Sequence, residues 1–283
     1  MHASQSMTKT ILTLKKAPHV PLEAEVISPD VFSTLTHDAV CGLTVFLGKR
    51  QLRLDEFFDV EGPGSENIEI HGDAARVKWI GKTMTRGSIK VHGNAGMHLG
   101  AYMKGGSIEV TGNASDWVGG EMKGGFIRVA GDAGGLLGAA YRGSVTGMSG
   151  GTILIGGIAG TELGMRMKRG TIVIGGAVRD FAGLQMKGGT IVLMSGAELR
   201  TGAWMARGTI ISLKPIKLMP TFGQACTYVP TFLQMYARHL NTLGFSLPCD
   251  LKNGFYQRFT GDSSVPGKGE ILVWQPASSS RGS

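Results

Sequence analysis

Cysteine is scarce in this 283-residue chain: Cys41, Cys226 and Cys249 stand far apart and form no C-x-x-C pair. That pattern excludes a disulfide framework, a zinc ribbon and a thioredoxin-like redox motif, and it fits a reducing compartment. Long apolar runs are also missing. Near the start only Ile11-Leu12-Thr13-Leu14 follows Lys9, too short for a signal-peptide core or a bilayer span, so a cytoplasmic protein without membrane contact is expected. Aromatic residues make up 7% and charged residues 18%, and the net charge of +8 is a mild basic excess without a Lys/Arg run. No RRM-like or zinc-finger pattern accompanies that charge, so nucleic acid is not an expected partner. Nucleophile elbow, P-loop, H-E-x-x-H and a G-x-G-x-x-G opening a helix are all absent from the sequence.

Glycine is what the chain has in excess, at 45 positions, and 42% of residues are nonetheless hydrophobic. Collagen, linker and disorder are excluded by that combination, so the glycines serve a packed structure. Their placement is periodic. Segments opening on Ile68, Ile89, Ile108, Ile127, Ile153, Ile172, Ile191 and Ile210 are separated by 21, 19, 19, 26, 19, 19 and 19 residues. Two positions after the first seven of these Ile residues stands a second aliphatic, such as Val91, Val110 or Ile174, the alternation of a short strand. Glycines recur four residues after the Ile (Gly93, Gly112), eleven after it (Gly100, Gly119) and at the end of the repeat (Gly106, Gly125).

Fixed glycines mark corners, where φ must be positive or a neighbouring backbone leaves no room for a Cβ. A chain that runs from strand to corner and returns every 19 residues is an all-β solenoid. We expect a parallel right-handed β-helix of seven to eight 19-residue coils, stacked about 4.8 Å apart. Residues 1–67 then form an N-terminal β cap, 68–212 the glycine-repeat β-helix, 213–277 a small α/β extension with one helix, and 278–283 a tail. The helix is expected over Pro230 to Leu243, where Phe232, Leu233, Tyr236, Leu240 and Leu243 follow helical spacing and Gly244 suits the stop.

Met84, Met103, Met122, Met167, Met186 and Met205 align as one column, which is read as core packing by a soft gap-filling side chain. In the longer repeat from Ile127, Tyr141 and Met148 compete for that place, and the extra residues are expected to bulge out as a loop. One position after the repeat's first Ile should face outward. Glu69, Lys90, Glu109 and Arg128 occupy it in the first four repeats, charges expected to pair vertically. Leu154, Val173, Val192 and Ile211 occupy it in the last four, a strip expected to be covered by the C-terminal helix or by another protein of a complex.

Lys104, Lys123, Arg142, Lys168 and Lys187 form a second, basic column, with Arg169 and Arg207 one place later. It is either a solvated stripe or a cationic rail for a polyanionic ligand or an acidic partner surface. His71 and His92 stack on adjacent repeats, but two histidines do not complete a zinc site, so neither a metal centre nor catalytic residues are expected on this chain.

The repeat, for example Ile108 to Gly125 (IEVTGNASDWVGGEMKGG), resembles the glycine-repeat module shared by the C subunit of formylmethanofuran dehydrogenase and the C-terminal domain of glutamate synthase. The flanks Leu54 to Val60 (LDEFFDV), Gly254 to Asp262 (GFYQRFTGD) and Gly267 to Leu272 (GKGEIL) are most similar to the C subunits of bacterial formyltransferase/hydrolase complexes. Ser195, Arg169 and Arg207 depart from the module's glycine positions.

The resemblance implies one-carbon metabolism. Such a complex moves a formyl group from formyl-tetrahydromethanopterin to a methanofuran-type cofactor and hydrolyses it to formate. Cofactors of that type can carry glutamate chains, so the resemblance makes the basic column a candidate docking rail for a polyglutamate tail. It places that chemistry on sister subunits (hydrolase, formyltransferase and a dehydrogenase-like subunit) and leaves this chain as a non-catalytic scaffold. A glutamate-synthase-like spacer subunit is the alternative. A left-handed β-helix acyltransferase is less well matched, since it uses a six-residue aliphatic repeat.

Overall fold

A computed structural model describes residues 9–245 and 254–275; Cys249 and the tail at 278–283 lie outside them. In chain order the strands are β1 (Thr10–Leu14), β2 (Leu22–Glu23), β3 (Thr44–Leu47), β4 (Arg50–Arg53), β5 (Phe58–Glu61), β6 (Asn67–His71), β7 (Val77–Lys78), β8 (Ser88–His92) and β9 (Ser107–Val110). They continue with β10 (Phe126–Val129), β11 (Ser149–Ile155), β12 (Arg169–Ile174), β13 (Lys187–Leu193), β14 (Arg207–Ser212), β15 (Gly223–Tyr228), β16 (Phe255–Gly261) and β17 (Gly269–Gln275). Helices α1 (Pro29–Phe32) and α2 (His37–Cys41) lie in the N-terminal region, and α3 (Phe232–Thr242) falls within the expected helical segment. No helix among the described residues is long and apolar enough to cross a membrane.

The repeats build one large sheet. Strands β6 and β8 to β14 stack in parallel, each Ile over the next: Ile68 pairs with Ile89, Ile89 with Ile108, and so on to Ile191 with Ile210. A second line of parallel bridges runs along Ala74, Ala95, Ala114, Ala133, Ala159, Val178 and Ala197, six residues after each Ile. A third line joins the corners, where the N–H of Gly119 donates to Leu99 and that of Gly138 to Val118. Each repeat is therefore tied to the next along several edges, as in a solenoid.

The interior follows the sequence period. β6 and β8 to β13 each bury two inward aliphatics, β14 buries Ile210 and Ser212, the alanine bridges face in, and Met84, Met103, Met122, Met148, Met167, Met186 and Met205 are fully buried. Met148, not Tyr141, takes the methionine place in the long repeat. The intervening loop carries Val145, 69% exposed.

Two glycines show what the corners require. Gly119 has φ near +62°, and a Cβ on it would sit 2.5 Å from the Ile153 Cδ1 in the core. Gly112 needs no unusual φ, but a Cβ there would lie 2.7 Å from the Gly93 carbonyl oxygen of the preceding repeat.

Ordinary residues also occupy left-handed backbone, which the glycine pattern does not foreshadow. His98 and Tyr102, Trp117 and Glu121, and Phe181 and Gln185 flank a corner glycine at φ between 52° and 66°. Such a seat costs a side-chain-bearing residue about 1–2 kcal/mol. Hydrogen bonds running in opposite directions hold it: Tyr102 N–H donates forward to Gly120 and Gly119 N–H donates back to Leu99.

Both ends of the stack are closed by flanking strands. β1 lies between β6, which it pairs in parallel, and β5, which it pairs antiparallel. At the other end β17 pairs in parallel with β14, and β16 and β15 follow antiparallel. β4, β3, β2 and β7 form a separate sheet beside the first repeat.

Candidate functional site

Three outward features arise from this frame. The first is the covered strip. Leu154, Val173, Val192 and Ile211 are at most 2% exposed and belong to a second apolar cluster with Leu233, Ala237 and Leu240 of α3 and with Tyr256 and Leu272. The period of two turns these residues out of the column's core, and the chain's own C-terminal region packs over them. Tyr236 of the same helix meets Thr190 of β13 through a 2.7 Å hydroxyl contact.

The second is the basic column. The N–H groups of Lys104, Lys123, Ser149, Lys168, Lys187 and Ala206 donate in turn to the carbonyls of Met84, Met103, Met122, Met148, Met167 and Met186, which places these six residues on one ascending edge. Ser149, not Arg142, occupies the rung between Lys123 and Lys168. Arg142 belongs to the inserted loop, because placing Met148 in the core moves all the extra residues ahead of it. Lys268 extends the edge by donating its N–H to Ala206. Lys104, Lys123, Arg142 and Lys168 are exposed, and no carboxylate among the described residues pairs with them.

Lys187 behaves differently. Its ammonium donates to the Val145 carbonyl at 2.7 Å, while Arg166 donates to Gln185 Oε1 at 2.7 Å and to the Ser144 carbonyl at 2.5 Å. The two cations thus hold the inserted loop against the column. A groove of about 580 Å³ results, lined by Val145, Arg166, Gln185, Lys187, Trp204 and Val265 among others. Trp204 is half exposed beside it. Two cations and an indole face in a groove without a carboxylate suit an anionic ligand with an apolar portion.

The third is on the first repeats. Glu69, His71 and His92 bring one carboxylate and two imidazoles together, with donor atoms within 4.8 Å of one another. Alignment of the repeats sets His71 and His92 beside each other but misses Glu69, two residues before His71 on the same strand face. The expected vertical ion pairs also change. Among the described residues, Glu69 pairs with Lys9 at 3.2 Å, not with Lys90, and neither Glu109 nor Arg128 forms an ion pair. The Cα alignment is in register, but the long side chains splay into solvent. Burial opposes ionisation of Glu69, yet the hydrogen bond and charge of Lys9, with His71 and His92 beside it, hold the carboxyl below its ordinary range.

Aromatic rings form a further outward stack that no motif announces. His98 lies 4.0 Å from the Trp79 ring, and Tyr141 of the inserted loop stacks 4.4 Å from Trp117. Burial, and then the charge of Lys78, push the His98 ring down to about 4. It is neutral near pH 7.

The GXGXG motif family matches residues 66–220, the stacked repeats. The C subunit of a molybdenum-containing formylmethanofuran dehydrogenase 1 from Methanosarcina barkeri is 43% identical over 98 residues, 33% of each chain. Its counterpart in a tungsten-containing formylmethanofuran dehydrogenase 2 from Methanothermobacter wolfeii is 41% identical over 100 residues, 34% of this chain and 37% of that one. The matched segment thus spans about a third of the length of these curated relatives. Among solved structures, a chain of the formyltransferase/hydrolase complex (FhcABCD) from Methylorubrum extorquens, crystallised with methylofuran, superposes with a TM-score of 0.85 at 34% identity. That likeness covers 94% of this chain and 99% of that one. The glycine-cornered stack therefore stands in a known lineage: the chain belongs to the GXGXG family, among the homologues of the formylmethanofuran dehydrogenase C subunit.

Proposed function

We propose that this chain is a non-catalytic scaffold in a complex that transfers a formyl group from formyl-tetrahydromethanopterin to a methanofuran-type cofactor and hydrolyses it to formate. In this reading the hydrolase, formyltransferase and dehydrogenase-like chemistry belongs to sister subunits. The column, which we read as right-handed with eight coils, holds those subunits at fixed separation. The exposed edge of Lys104, Lys123, Lys168 and Lys268, continued by the Arg166/Lys187 groove, binds the acidic polyglutamate tail of the cofactor. The observation that carries the reading is the whole-length likeness, caps included, to a chain of a complex crystallised with methylofuran. An exposed run of cations without paired carboxylates supports the tail's place, since it attracts a polyanion along its length.

The test has two arms. Native purification of the tagged protein should recover hydrolase-like and transferase-like chains in fixed ratio; a monodisperse lone chain that transfers formyl groups overturns the scaffold role. Within the assembled complex, the triple variant Lys104→Glu/Lys123→Glu/Lys168→Glu should raise KM for a cofactor with a glutamate tail and leave a tail-less analogue unaffected. Equal kinetics for both cofactors would remove the tail-binding role.

A further inference from the structure

We propose that Glu69, His71 and His92 form a binding site for one divalent transition-metal cation of the zinc and copper class, on the outward face of the first two repeats. The site follows from the ladder itself. His71 and His92 are register partners on β6 and β8, and Glu69 is two residues from His71, on the same face. All three side chains are partly buried at the column wall.

Their geometry is near that of a coordination shell. Four ligands about 2.05 Å from a tetrahedral zinc lie about 3.3 Å from one another. Glu69 Oε2 lies 3.5 Å from His71 Nε2 and 3.6 Å from His92 Nε2, so two edges of that tetrahedron are already set to within a few tenths of an ångström. The imidazoles stack with centroids 4.4 Å apart and planes 10° from parallel, so their Nε2 lone pairs run side by side and binding one ion requires both rings to turn toward each other, while the donor atoms already lie within 4.8 Å of one another.

Two further observations point to a ligand. His92 Nε2 is shielded from solvent and makes no hydrogen bond, facing Glu69 Oε2 at 3.6 Å, a separation that a shared metal ion would bridge. The other carboxylate oxygen of Glu69 accepts a hydrogen bond from Lys9 Nζ at 3.2 Å, which orients the group and leaves Oε2 turned to the histidines.

Three protein ligands leave a position for water or an external donor, as in open zinc sites. Lys9 and Lys90 add positive charge nearby and keep the affinity below that of a closed structural centre. Imidazole nitrogen with one carboxylate favours Cu²⁺ and Zn²⁺ over Mg²⁺ or Ca²⁺.

The test uses the tag-free full chain in a Cys226→Ser background, because that thiol is exposed. Zn²⁺ titration by calorimetry should give one equivalent bound, and Cu²⁺ should show an electron paramagnetic resonance spectrum with coupling to two nitrogens. His71→Ala, His92→Ala and Glu69→Gln should each weaken Zn²⁺ binding at least about tenfold. His98→Ala and His239→Ala should leave it unchanged. Absence of stoichiometric binding by the parent chain overturns the site, as does unchanged binding in a His71→Ala/His92→Ala variant that keeps its circular dichroism. None of these readouts depends on sister subunits or on formyl transfer, so the outcome is independent of the scaffold reading.

Discussion

The hydroxyl of Tyr141 lies 3.0 Å from Nδ1 of His98, so the inserted loop closes onto a ring two repeats earlier in the column. That contact, with Trp79 against the other side of the imidazole, buries a titratable group in an aromatic stack.

A pH dependence follows. The folded-state ring, held at about 4, takes up a proton less readily than the unfolded-state ring near 6.5, so the unfolded chain binds more protons between those values. The neutral ring's contribution is complete above about pH 6.5 and is lost as pH falls towards about 4. Thermal melts between pH 7 and pH 4.5 should show a smaller loss of Tm in His98→Phe, which keeps a flat ring and removes the titration. Identical pH profiles for the two proteins would contradict this.

Corner glycines and corner side chains should respond oppositely to substitution. Gly119→Ala introduces a Cβ at positive φ against Ile153, which combines about 1–2 kcal/mol of left-handed strain with about 1–3 kcal/mol of overpacking. Glu162→Gly, at φ near 60°, relieves strain and adds unfolded-state entropy, so its stability should stay within about 1 kcal/mol of the parent. Urea denaturation of the two variants distinguishes them.

Leu240 is fully buried where α3 meets the aliphatic strip. Leu240→Ala should cost about 2–5 kcal/mol. Because that cluster is separate from the column's core, the loss should appear as undocking of α3, with increased binding of a hydrophobic dye and protease cutting near the helix, while the far-ultraviolet strand signal persists.

The basic edge and the inserted loop are distinguishable by charge reversal. Lys123→Glu should weaken binding of a short polyglutamate by about fivefold or more, from about 1 kcal/mol of Coulombic loss. Arg142→Glu, off the ladder, should weaken it less, and both effects should shrink as salt rises. Equal losses would place the ligand on the loop.

What repeats in the sequence is legible from it. The stacked strands, the glycine corners, the methionine column and the outward aliphatics each recur every 19 residues, and a recurring residue type reports a recurring environment. The helix over α3 is visible because apolar spacing and Gly244 agree. The alanine bridges, from Ala74 to Ala197, are equally periodic but give little signal, because alanine carries no distinctive chemistry.

What depends on a single local event is hidden. Whether Tyr141 or Met148 enters the core decides the place of Arg142, and only the packing of one thioether settles it. The Glu69, His71 and His92 cluster needs one residue type from a different column of the repeat, so alignment by offset separates what the strand face joins. His98, Trp117 and Phe181 in left-handed seats follow no residue preference, because the neighbouring repeats' hydrogen bonds, not the side chains, impose that backbone.

Those imposed seats separate architecture from surface. Since amide groups of adjacent turns enforce the bend, the protruding side chain is released from any duty to shape the chain, and Trp79, His98, Trp117, Leu136, Glu162, Phe181 and Arg200 can occupy equivalent points of successive turns. Mutation can therefore rewrite the exterior of this column one turn at a time, from aromatic to acidic to basic, without retooling the frame beneath.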